Sequence, residues 1–497
     1  MSLVLGIDIG TTSTLGLLLE VGTDIRPKVR AVASRPVRLS SPRPGWAEQD
    51  PQEWWRNLCA LVPDLLAKAG AEADNIAAIC VAGMLPAVVL LDSESRLLRP
   101  SIQQSDARCG AEVDEMRAEI DEDAFLSRAG NGLNQQLVGA KLRWLAKHEP
   151  AIHARIATVF GSYDYINWCL TGVRTVEQNW ALEAGVTDIA TGTLSRDLAQ
   201  MTGVPWEALP PRITSTEVQG HVTAEAARAT RLAQGTPVMG GAADFIASAL
   251  GAGITSAGDV LLKFGGSVDI LTSVPEARPD PRLYLDYHLV PELFMPNGCM
   301  STGGSVLNWA VETFGGGQRF GPEPHAELDK LAEATPAGAE ELSFLPYFLG
   351  EKTPIHDTRV RGALEGLTLS HGIGHIWRAI LESYGYALRH HLDVLRDAGY
   401  VPTRFVASDG GASSRIWMQI IADILGEEVQ LLTHHPGSCL GAAWVAAVGA
   451  GLADWNGATQ LVETGPKIHP CTETAPLYDT GYQRFRELYQ RLHGFHA

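Results

Sequence analysis

Two short stretches of the chain share one arrangement: a β-prone run, a turn of small residues and a second β-prone run. The first begins with residues 3–9 and turns at Gly10-Thr11-Thr12-Ser13-Thr14. The second begins with Val260–Phe264 and turns at Gly265-Gly266-Ser267. A strand, a small-residue turn and a strand are typical of a β-hairpin. Because the two hairpins lie in different halves of the chain, they predict a duplicated architecture with one phosphate-sized turn in each half.

Helix signals between the predicted strands indicate an α/β fold. Asp50-Pro51-Gln52-Glu53 has an N-cap aspartate, a proline at the first helical position and an acid where a capping box has one, which predicts a helix to about Lys68. Apolar residues recur every three or four positions from Ile373 to Leu395, which predicts a long helix ending near Gly399. A strand at 402–407, a turn at 409–411 and a helix at 413–425 follow. Strands that alternate with long helices predict α/β layers.

The small residues at 250–258 lie between the two predicted halves and predict a hinge there. We therefore expect an N-terminal domain at residues 1–250 and a C-terminal domain at residues 251–497.

Composition limits the classes of partner. The chain of 497 residues has 39 Lys and Arg against 57 Asp and Glu, a net charge of −18, which argues against nucleic acid and against an anionic membrane surface. The longest uncharged apolar run, near Ala442–Ala453, is shorter than the roughly 20 residues that span a bilayer. The seven cysteines form no C-x-x-C pair and the N-terminus has no basic signal-peptide region. We expect a soluble, cytoplasmic protein.

The hairpin turns are candidate phosphate sites, because neither a Walker A loop nor a G-x-G-x-x-G motif follows the first strand. Backbone N–H groups of a small-residue turn can surround phosphate oxygens. Asp8, at the end of the first predicted strand, would face the same space and could hold Mg²⁺ through waters. Taken alone, the segment Gly10–Thr12 is more often an ordinary hairpin turn.

Two further turns have the same ambiguity. Asp244 follows Gly240-Gly241 and precedes an apolar helical run, so it is either an N-cap residue or a catalytic base beside the predicted hinge. Gly410-Gly411 precedes a predicted helix, where a ligand can approach the backbone or the chain simply turns tightly.

Together these segments resemble the FGGY carbohydrate kinases, in particular xylulokinase-like members, from about residue 3 to about residue 451. Residues 6–13 resemble the family's first phosphate motif and residues 45–55 its following helix start. Residues 362–382 fit the family's C-terminal signature at every constrained position. In the other signature Lys141 and Trp144 fit, whereas Gln136 and Val138 depart from it. The resemblance implies a pair of actin-like, ribonuclease-H-like ATPase domains with a cleft between them.

The resemblance also implies roles for single residues. Asp244 matches the catalytic base that takes a proton from the sugar hydroxyl. ATP and Mg²⁺ are the implied cofactors, with Asp8 and Asp244 at the metal. The positions implied beside the nucleotide and its phosphates are Asp8, Thr11, Thr12, Gly265, Gly266, Ser267, Gly304, Asn308, Gly411 and Arg415. Gly266 stands where the family usually has a threonine, so the side-chain hydrogen bond of that position is not carried over.

The predicted sugar pocket departs from the xylulokinase pattern. Leu85 and Pro86 stand where Met and His are usual, and Gln104 and Ser105 replace Trp and Asn. Asp106 remains, while Phe245 follows the catalytic aspartate where Asn is common. The implied substrate contacts are Leu85, Pro86, Gln104, Asp106, Asp244 and Phe245. A site that cannot pair a substrate hydroxyl loses strongly, so these changes predict a ketose or polyol other than D-xylulose.

The leading hypothesis is an ATP-dependent kinase that phosphorylates a terminal hydroxyl of a small sugar, such as a pentulose or a related polyol. An actin- or Hsp70-like module that binds protein is the alternative class, and a regulatory pseudokinase is a third. The module hypothesis leaves Asp244 and the C-terminal signature unexplained, and the presence of both Asp8 and Asp244 argues against a pseudokinase. A homodimer is expected as the assembly.

Overall fold

Two mixed β-sheets of the same topology form the framework of the protein. The computed structural model describes residues 2–22, 26–315, 321–434 and 437–495. In spatial order the first sheet has the strands Val218–His221, Pro237–Met239, Ile76–Gly83, Ser2–Ile9, Ser13–Val21 and Lys28–Pro36, with Ala242–Ala243 pairing beside Ile76–Gly83. The second sheet has Tyr284–Tyr287, Phe294–Cys299, Val268–Thr272, Asp259–Phe264, Arg404–Ser408, Val429–His434 and Glu463–Ile468.

The pairing pattern of the two sheets confirms the predicted duplication. Ser2–Ile9 pairs antiparallel with Ser13–Val21 and parallel with Ile76–Gly83. Asp259–Phe264 pairs antiparallel with Val268–Thr272 and parallel with Arg404–Ser408 in the same way. In the first sheet Pro237–Met239 pairs parallel with Ile76–Gly83, and the edge strand Val218–His221 pairs antiparallel with Pro237–Met239. In the second sheet Val429–His434 pairs parallel with Arg404–Ser408, and the edge strand Glu463–Ile468 pairs antiparallel with Val429–His434. Both predicted hairpins are therefore confirmed.

Helices cover the two sheets, which explains why the central strands are buried apolar runs. The α-helices are Pro51–Ala69, Gly110–Glu119, Glu122–Ala129, Val138–His148, Pro150–His153, Ser162–Thr171, Gln178–Glu183, Arg196–Thr202, Ala224–Thr230, Asp244–Gly251, Gly304–Gly315, Pro324–Glu333, Ile373–Asp397, Arg415–Leu425, Ser438–Gly449 and Ala475–Leu492. The remaining strands form small two-stranded pairs: Glu48–Gln49 with Ser101–Ile102, Val89–Leu91 with Thr158–Phe160, Val176–Glu177 with Arg212–Ile213, Thr187–Asp188 with Thr193–Leu194, and Ser343–Leu345 with Ala363–Glu365. No helix in the described part of the chain is both long and apolar enough to cross a membrane.

The predicted helices are confirmed, with two differences in detail. Asp50 caps its helix by accepting a hydrogen bond from the Gln52 amide, whereas Glu53 accepts one from the Arg38 amide and so closes no capping box. The helix predicted at 413–425 begins later, at Arg415, because residues 410–413 form a 3₁₀ turn and Ser414 caps the helix.

The chain returns to the first sheet near its carboxyl end. Helix Ser438–Gly449 packs across strand Ser2–Ile9 of that sheet and against helix Asp244–Gly251. A Cβ atom at Gly441 would overlap the backbone of Ala247, so the glycine permits this close approach. The domain boundary at residue 250 stays a proposal. Helix Ser438–Gly449 lies beyond that boundary in sequence but packs on the first sheet, so part of the predicted C-terminal domain contacts the N-terminal one.

The predicted hinge at 250–258 is largely buried, and hydrogen bonds hold its middle residues. The carboxylate of Asp259 accepts hydrogen bonds from the amides of Thr255 and Ser256 at 3.0 Å each. It also pairs with Arg404, whose guanidinium reaches the Gly253 carbonyl. The hinge role of the segment stays a prediction.

Candidate active site

The strand register brings Asp8 and Asp244 to the same edge of the first sheet. Asp8 is paired with Ala82 near the carboxyl end of its strand, and Ile9 is paired with Gly83. Ala243 is paired with that same Gly83 from the other side. In open α/β sheets ligands bind outside the carboxyl ends of the strands. The two predicted site aspartates therefore lie together, although they are far apart in sequence.

The Asp8 carboxyl group is buried and lacks one partner. Burial, and next the nearby Asp244 carboxylate, raise the pKa of Asp8 to about 7. The Ser438 hydroxyl, which hydrogen-bonds to Asp8, and the Lys263 ammonium oppose this shift. The Oδ1 atom of Asp8 has no hydrogen-bond partner among the described residues. A buried oxygen of this kind is suited to an ion or its waters.

Asp244 is the first residue of helix Asp244–Gly251. The N-cap position belongs to Ala243, so the interpretation of Asp244 as an N-cap residue is wrong. Its Oδ1 atom accepts a hydrogen bond from the Phe245 amide at 2.7 Å, which orients the carboxylate. Burial raises the pKa of Asp244 above its usual range, and Lys263 opposes the shift. A raised pKa makes a carboxylate a better proton acceptor.

A cavity of about 320 Å³ lies in front of Asp244 and receives residues from both halves of the chain. The predicted residues Leu85, Gln104, Asp244, Phe245 and Ser267 line it. We call this space the inner cavity. Its volume lies at the small end of ligand-binding pockets and suits a small polar molecule.

Two predicted sugar contacts lie outside the lining of the inner cavity. The carbonyl of Pro86 accepts a hydrogen bond from Lys141 Nζ at 3.3 Å. Asp106 is enclosed by Arg108 and by the Ala47 amide, which together occupy both of its carboxylate oxygens. Asp106 lines an adjacent cavity of about 400 Å³, which shares Gln104 and three other residues with the inner cavity. Both contacts stay predictions.

The inner cavity has charged residues that sequence reasoning missed. Glu183 ends the short helix Gln178–Glu183, and burial raises its pKa to about 7. Lys352 lines the same cavity, and its Nζ atom lies 3.9 Å from the Cys299 sulfur. Neither residue belongs to a motif or a periodic pattern, so no local signal could have identified it.

Lys263 and Asp269 also line the inner cavity and were missed. They are direct cross-strand neighbours in the second sheet. A signal for Lys263 did exist, since it is the one charged residue in the run Val260–Phe264. A lysine in a buried strand just before a small-residue turn indicates a nearby anion or carboxylate.

A second cavity of about 760 Å³ lies on the other side of the Gly265-Gly266-Ser267 turn. The predicted nucleotide residues Gly265, Gly266, Gly304, Asn308 and Gly411 line it, together with Trp377 and Trp417. The Gly304 amide, at the start of helix Gly304–Gly315, donates a hydrogen bond to the Gly265 carbonyl at 2.9 Å. The turn and the helix start therefore form one wall of this cavity, the nucleotide cavity.

Five predicted nucleotide residues lie outside this lining: Asp8, Thr11, Thr12, Ser267 and Arg415. Ser267 lines the inner cavity instead, and Asp8 lines neither of the two cavities. Arg415 is exposed at the first residue of helix Arg415–Leu425. Thr11 and Thr12 lie in the first hairpin turn, where their carbonyls accept hydrogen bonds from Gln49 and Val37. Neither threonine lines the inner cavity or the nucleotide cavity. Their contacts with nucleotide stay predictions.

The residues present fit a weakly held magnesium ion. No group of three or more His, Cys, Asp and Glu residues that could hold a metal occurs within residues 2–22, 26–315, 321–434 and 437–495. Mg²⁺ usually takes one or two carboxylates and fills its other positions with waters and substrate phosphates. Asp8, with its unpartnered oxygen, and Asp244 match this limited demand.

Comparisons with known proteins agree with this arrangement. Residues 3–251 match the FGGY family of carbohydrate kinases, N-terminal domain, and residues 266–450 match the C-terminal domain. The chain is 30% identical to a xylulose kinase of Escherichia coli over 98% of this chain and 99% of the other. It is 29% identical to a xylulose kinase of Bacillus subtilis over 98% and 97%. A solved structure of xylulose kinase from Rhodospirillum rubrum is 55% identical over 99% of both chains, with a TM-score of 0.93. The chain therefore belongs to the FGGY family of carbohydrate kinases.

Proposed function

We propose that the protein transfers the γ-phosphoryl group of ATP to a terminal hydroxyl of a small sugar, a pentulose or a related polyol. The observation that carries the proposal is the position of the Gly265-Gly266-Ser267 turn. Gly265 and Gly266 line the nucleotide cavity, whereas Ser267 lines the inner cavity beside Asp244. A phosphate bound at this turn would thus lie between a nucleotide on one side and a sugar on the other.

In the proposed reaction Asp244 takes the proton of the sugar hydroxyl. The hydroxyl oxygen forms a bond to the γ-phosphorus while the bond from that phosphorus to the β–γ bridging oxygen breaks, and ADP leaves. Such a transfer depends mainly on positioning and on neutralising the phosphate charge. Asp8 and Asp244 would hold Mg²⁺ through waters, and the bound ion would supply part of that neutralisation.

The alternative functions explain less of the site. A protein-binding module or a pseudokinase needs no enclosed cavity with a buried carboxylate of raised pKa at one end. Assembly as a homodimer and a cytoplasmic location stay predictions from the sequence.

A substrate panel tests the proposed function and its specificity. We expect ADP release, measured by a coupled assay, to depend on sugar in a panel of pentuloses, tetritols, pentitols and glycerol. Leu85 and Phe245 line the inner cavity with apolar side chains. Because such groups cannot pair a substrate hydroxyl, kcat/KM for D-xylulose should be lower than for another ketose or polyol.

Two results of this panel have separate meanings. If D-xylulose proves the best substrate, the specificity argument from Leu85 and Phe245 is wrong, while the kinase proposal stands. If no sugar raises ADP release above the rate with ATP alone, the proposed function is wrong.

A second expected result concerns closure of the cleft. The inner cavity takes residues from both halves of the chain, so binding of sugar and nucleotide should draw the halves together. Closure also excludes water that competes for the phosphoryl group. We expect small-angle scattering to show a smaller radius of gyration at saturating ligand, and ATP hydrolysis without sugar to stay slow. Identical profiles with and without ligands would contradict closure.

A further inference from the structure

Lys263 stands where the two cavities meet. It is the fifth residue of strand Asp259–Phe264, paired with Asp269 on one side and with Ser408 on the other. Its side chain lines the inner cavity, while Gly265 and Gly266, two and three positions further along, line the nucleotide cavity. A group that passes from nucleotide to sugar would therefore pass this side chain.

The Lys263 ammonium lies near four carboxylates, and its ion pair with Asp409 is a long one. Burial lowers the pKa of Lys263, but the carboxylates of Asp269, Asp409, Asp244 and Asp8 outweigh burial and raise that pKa above its usual range, so the side chain is charged. Its Nζ atom lies 3.9 Å from Asp409 Oδ2, beyond hydrogen-bond distance. Asp269, Asp244 and Asp8 act on Lys263 through their charge, without a hydrogen bond from Nζ among the described residues.

An ammonium group has three donors, and a partly enclosed one gains most from an anion that accepts them. The side chain of Lys263 is only 29% exposed. The neighbouring turn offers no side-chain donor at Gly266, where a Cβ atom would meet nothing within 4 Å. Lys263 thus brings an ammonium group to the start of this turn, where phosphate oxygens could accept hydrogen bonds from it, whereas the Ser267 hydroxyl donates to Asp269.

We propose that the Lys263 ammonium contacts the phosphoryl group during its transfer and neutralises part of its charge. This role rests on the proposed function, because it requires a phosphoryl group at the junction of the two cavities. The contact is confined to the γ-phosphoryl, since the rest of the nucleotide belongs to the nucleotide cavity beyond the turn.

Nucleotide binding to the whole chain tests the contact without turnover. Calorimetry would compare ADP with a non-hydrolysable ATP analogue, for the parent and for Lys263→Met, which keeps the length of the side chain and removes the charge. We expect Lys263→Met to weaken binding of the analogue by about tenfold or more, the size of a lost hydrogen bond to a charged group. ADP binding should stay unchanged. Lys263→Arg, which keeps the charge, should retain most of the preference for the analogue.

Turnover gives an independent measurement. Loss of one donor at a developing charge typically costs about 100-fold in kcat, so Lys263→Met should lower kcat to that extent with little change in sugar KM. Lys467→Met, on an exposed side chain paired with Glu428, is the matched control and should behave as the parent.

The outcomes separate this proposal from its alternatives. Equal weakening of ADP and the analogue, or no weakening of either, would show that Lys263 is only a counter-ion for the aspartates and would overturn the proposal. If Lys263→Met does not fold, Lys263→Gln takes its place with the same expectations. If the parent phosphorylates no sugar but Lys263→Met still loses the preference for the analogue, the proposed function fails and the phosphate contact stands. A parent chain that binds neither nucleotide overturns both.

Discussion

Asp244→Asn is expected to lower kcat by about 100-fold or more, because a positioned general base contributes roughly 10²–10⁴-fold. The substitution keeps the shape of the side chain and the oxygen that accepts from the Phe245 amide. It removes the ability to take the hydroxyl proton, and with it the negative charge that Asp244 places beside Asp8 and Lys263. The affinity for ATP should stay nearly unchanged, because Asp244 lines the inner cavity and not the nucleotide cavity. Steady-state kinetics and calorimetry with a non-hydrolysable ATP analogue measure the two quantities.

The pH profile adds a second check on the same residue. Burial raises the pKa of Asp244, so its carboxylate becomes protonated on acidification at a higher pH than an ordinary aspartate of pKa 3.8. Activity of the parent should fall as pH decreases through the raised pKa values of Asp8 and Asp244, and Asp244→Asn should lose the part of that limb that belongs to Asp244. Asp479→Asn, on an exposed aspartate, is the control. Full activity in purified Asp244→Asn would refute the assignment of the base.

The parts of the fold that depend on local signals could be predicted from the sequence. The turn at Gly265-Gly266-Ser267 and the cap at Asp50 involve residues that are close in sequence, and the structure has the hairpin and the helix there. The position of helix Ser438–Gly449 on the first sheet could not be predicted in this way. Its contacts with Asp244–Gly251 join segments far apart in sequence, and Gly441 gives no hint of its partner.

Some residues of the candidate site could likewise be predicted from the sequence, and others could not. Leu85, Gln104, Asp244 and Phe245 were predicted through the family resemblance, and they line the inner cavity. Glu183 and Lys352 line it too, but each is placed there by strands and helices from a different part of the chain. A single charged residue in a loop or at a helix end is usually solvated, so its sequence context does not reveal a site.

The two hairpin turns also differ more than their sequences suggest. The second turn borders both cavities, whereas the carbonyls of Thr11 and Thr12 in the first turn are used within the N-terminal half. Duplication of the fold therefore does not imply equal use of the two turns. In the proposed reaction the second turn, with Lys263 before it, lies beside the transferred group, and the first half contributes Asp8 and Asp244.

Arg108→Met is expected to destabilise the protein by about 3–5 kcal/mol, the usual cost of removing one partner of a buried ion pair. The guanidinium of Arg108 is fully buried and donates to Asp106 at 2.8 and 2.7 Å and to Glu48 at 2.7 Å. It also stacks 3.7 Å from the centre of the Trp46 ring. Removal would leave the Asp106 carboxylate buried with only the amides of Ala47 and Arg108 as donors. Urea unfolding of parent and variant measures the difference.

Two further variants decide what this loss means for the site. Arg196→Met removes an exposed partner of Glu207 and should leave the free energy of unfolding nearly unchanged, because exposed ion pairs contribute little. Arg108→Met combined with Asp106→Asn should recover part of the loss, since the second change removes the uncompensated charge. A recovery of stability without recovery of sugar affinity would show that Asp106 also contacts substrate, as predicted from the family resemblance. Recovery of both stability and sugar affinity would show that Asp106 serves to hold the segment with Gln104 against the inner cavity. If Arg108→Met lowers the free energy of unfolding by less than about 1 kcal/mol, the argument from burial is wrong.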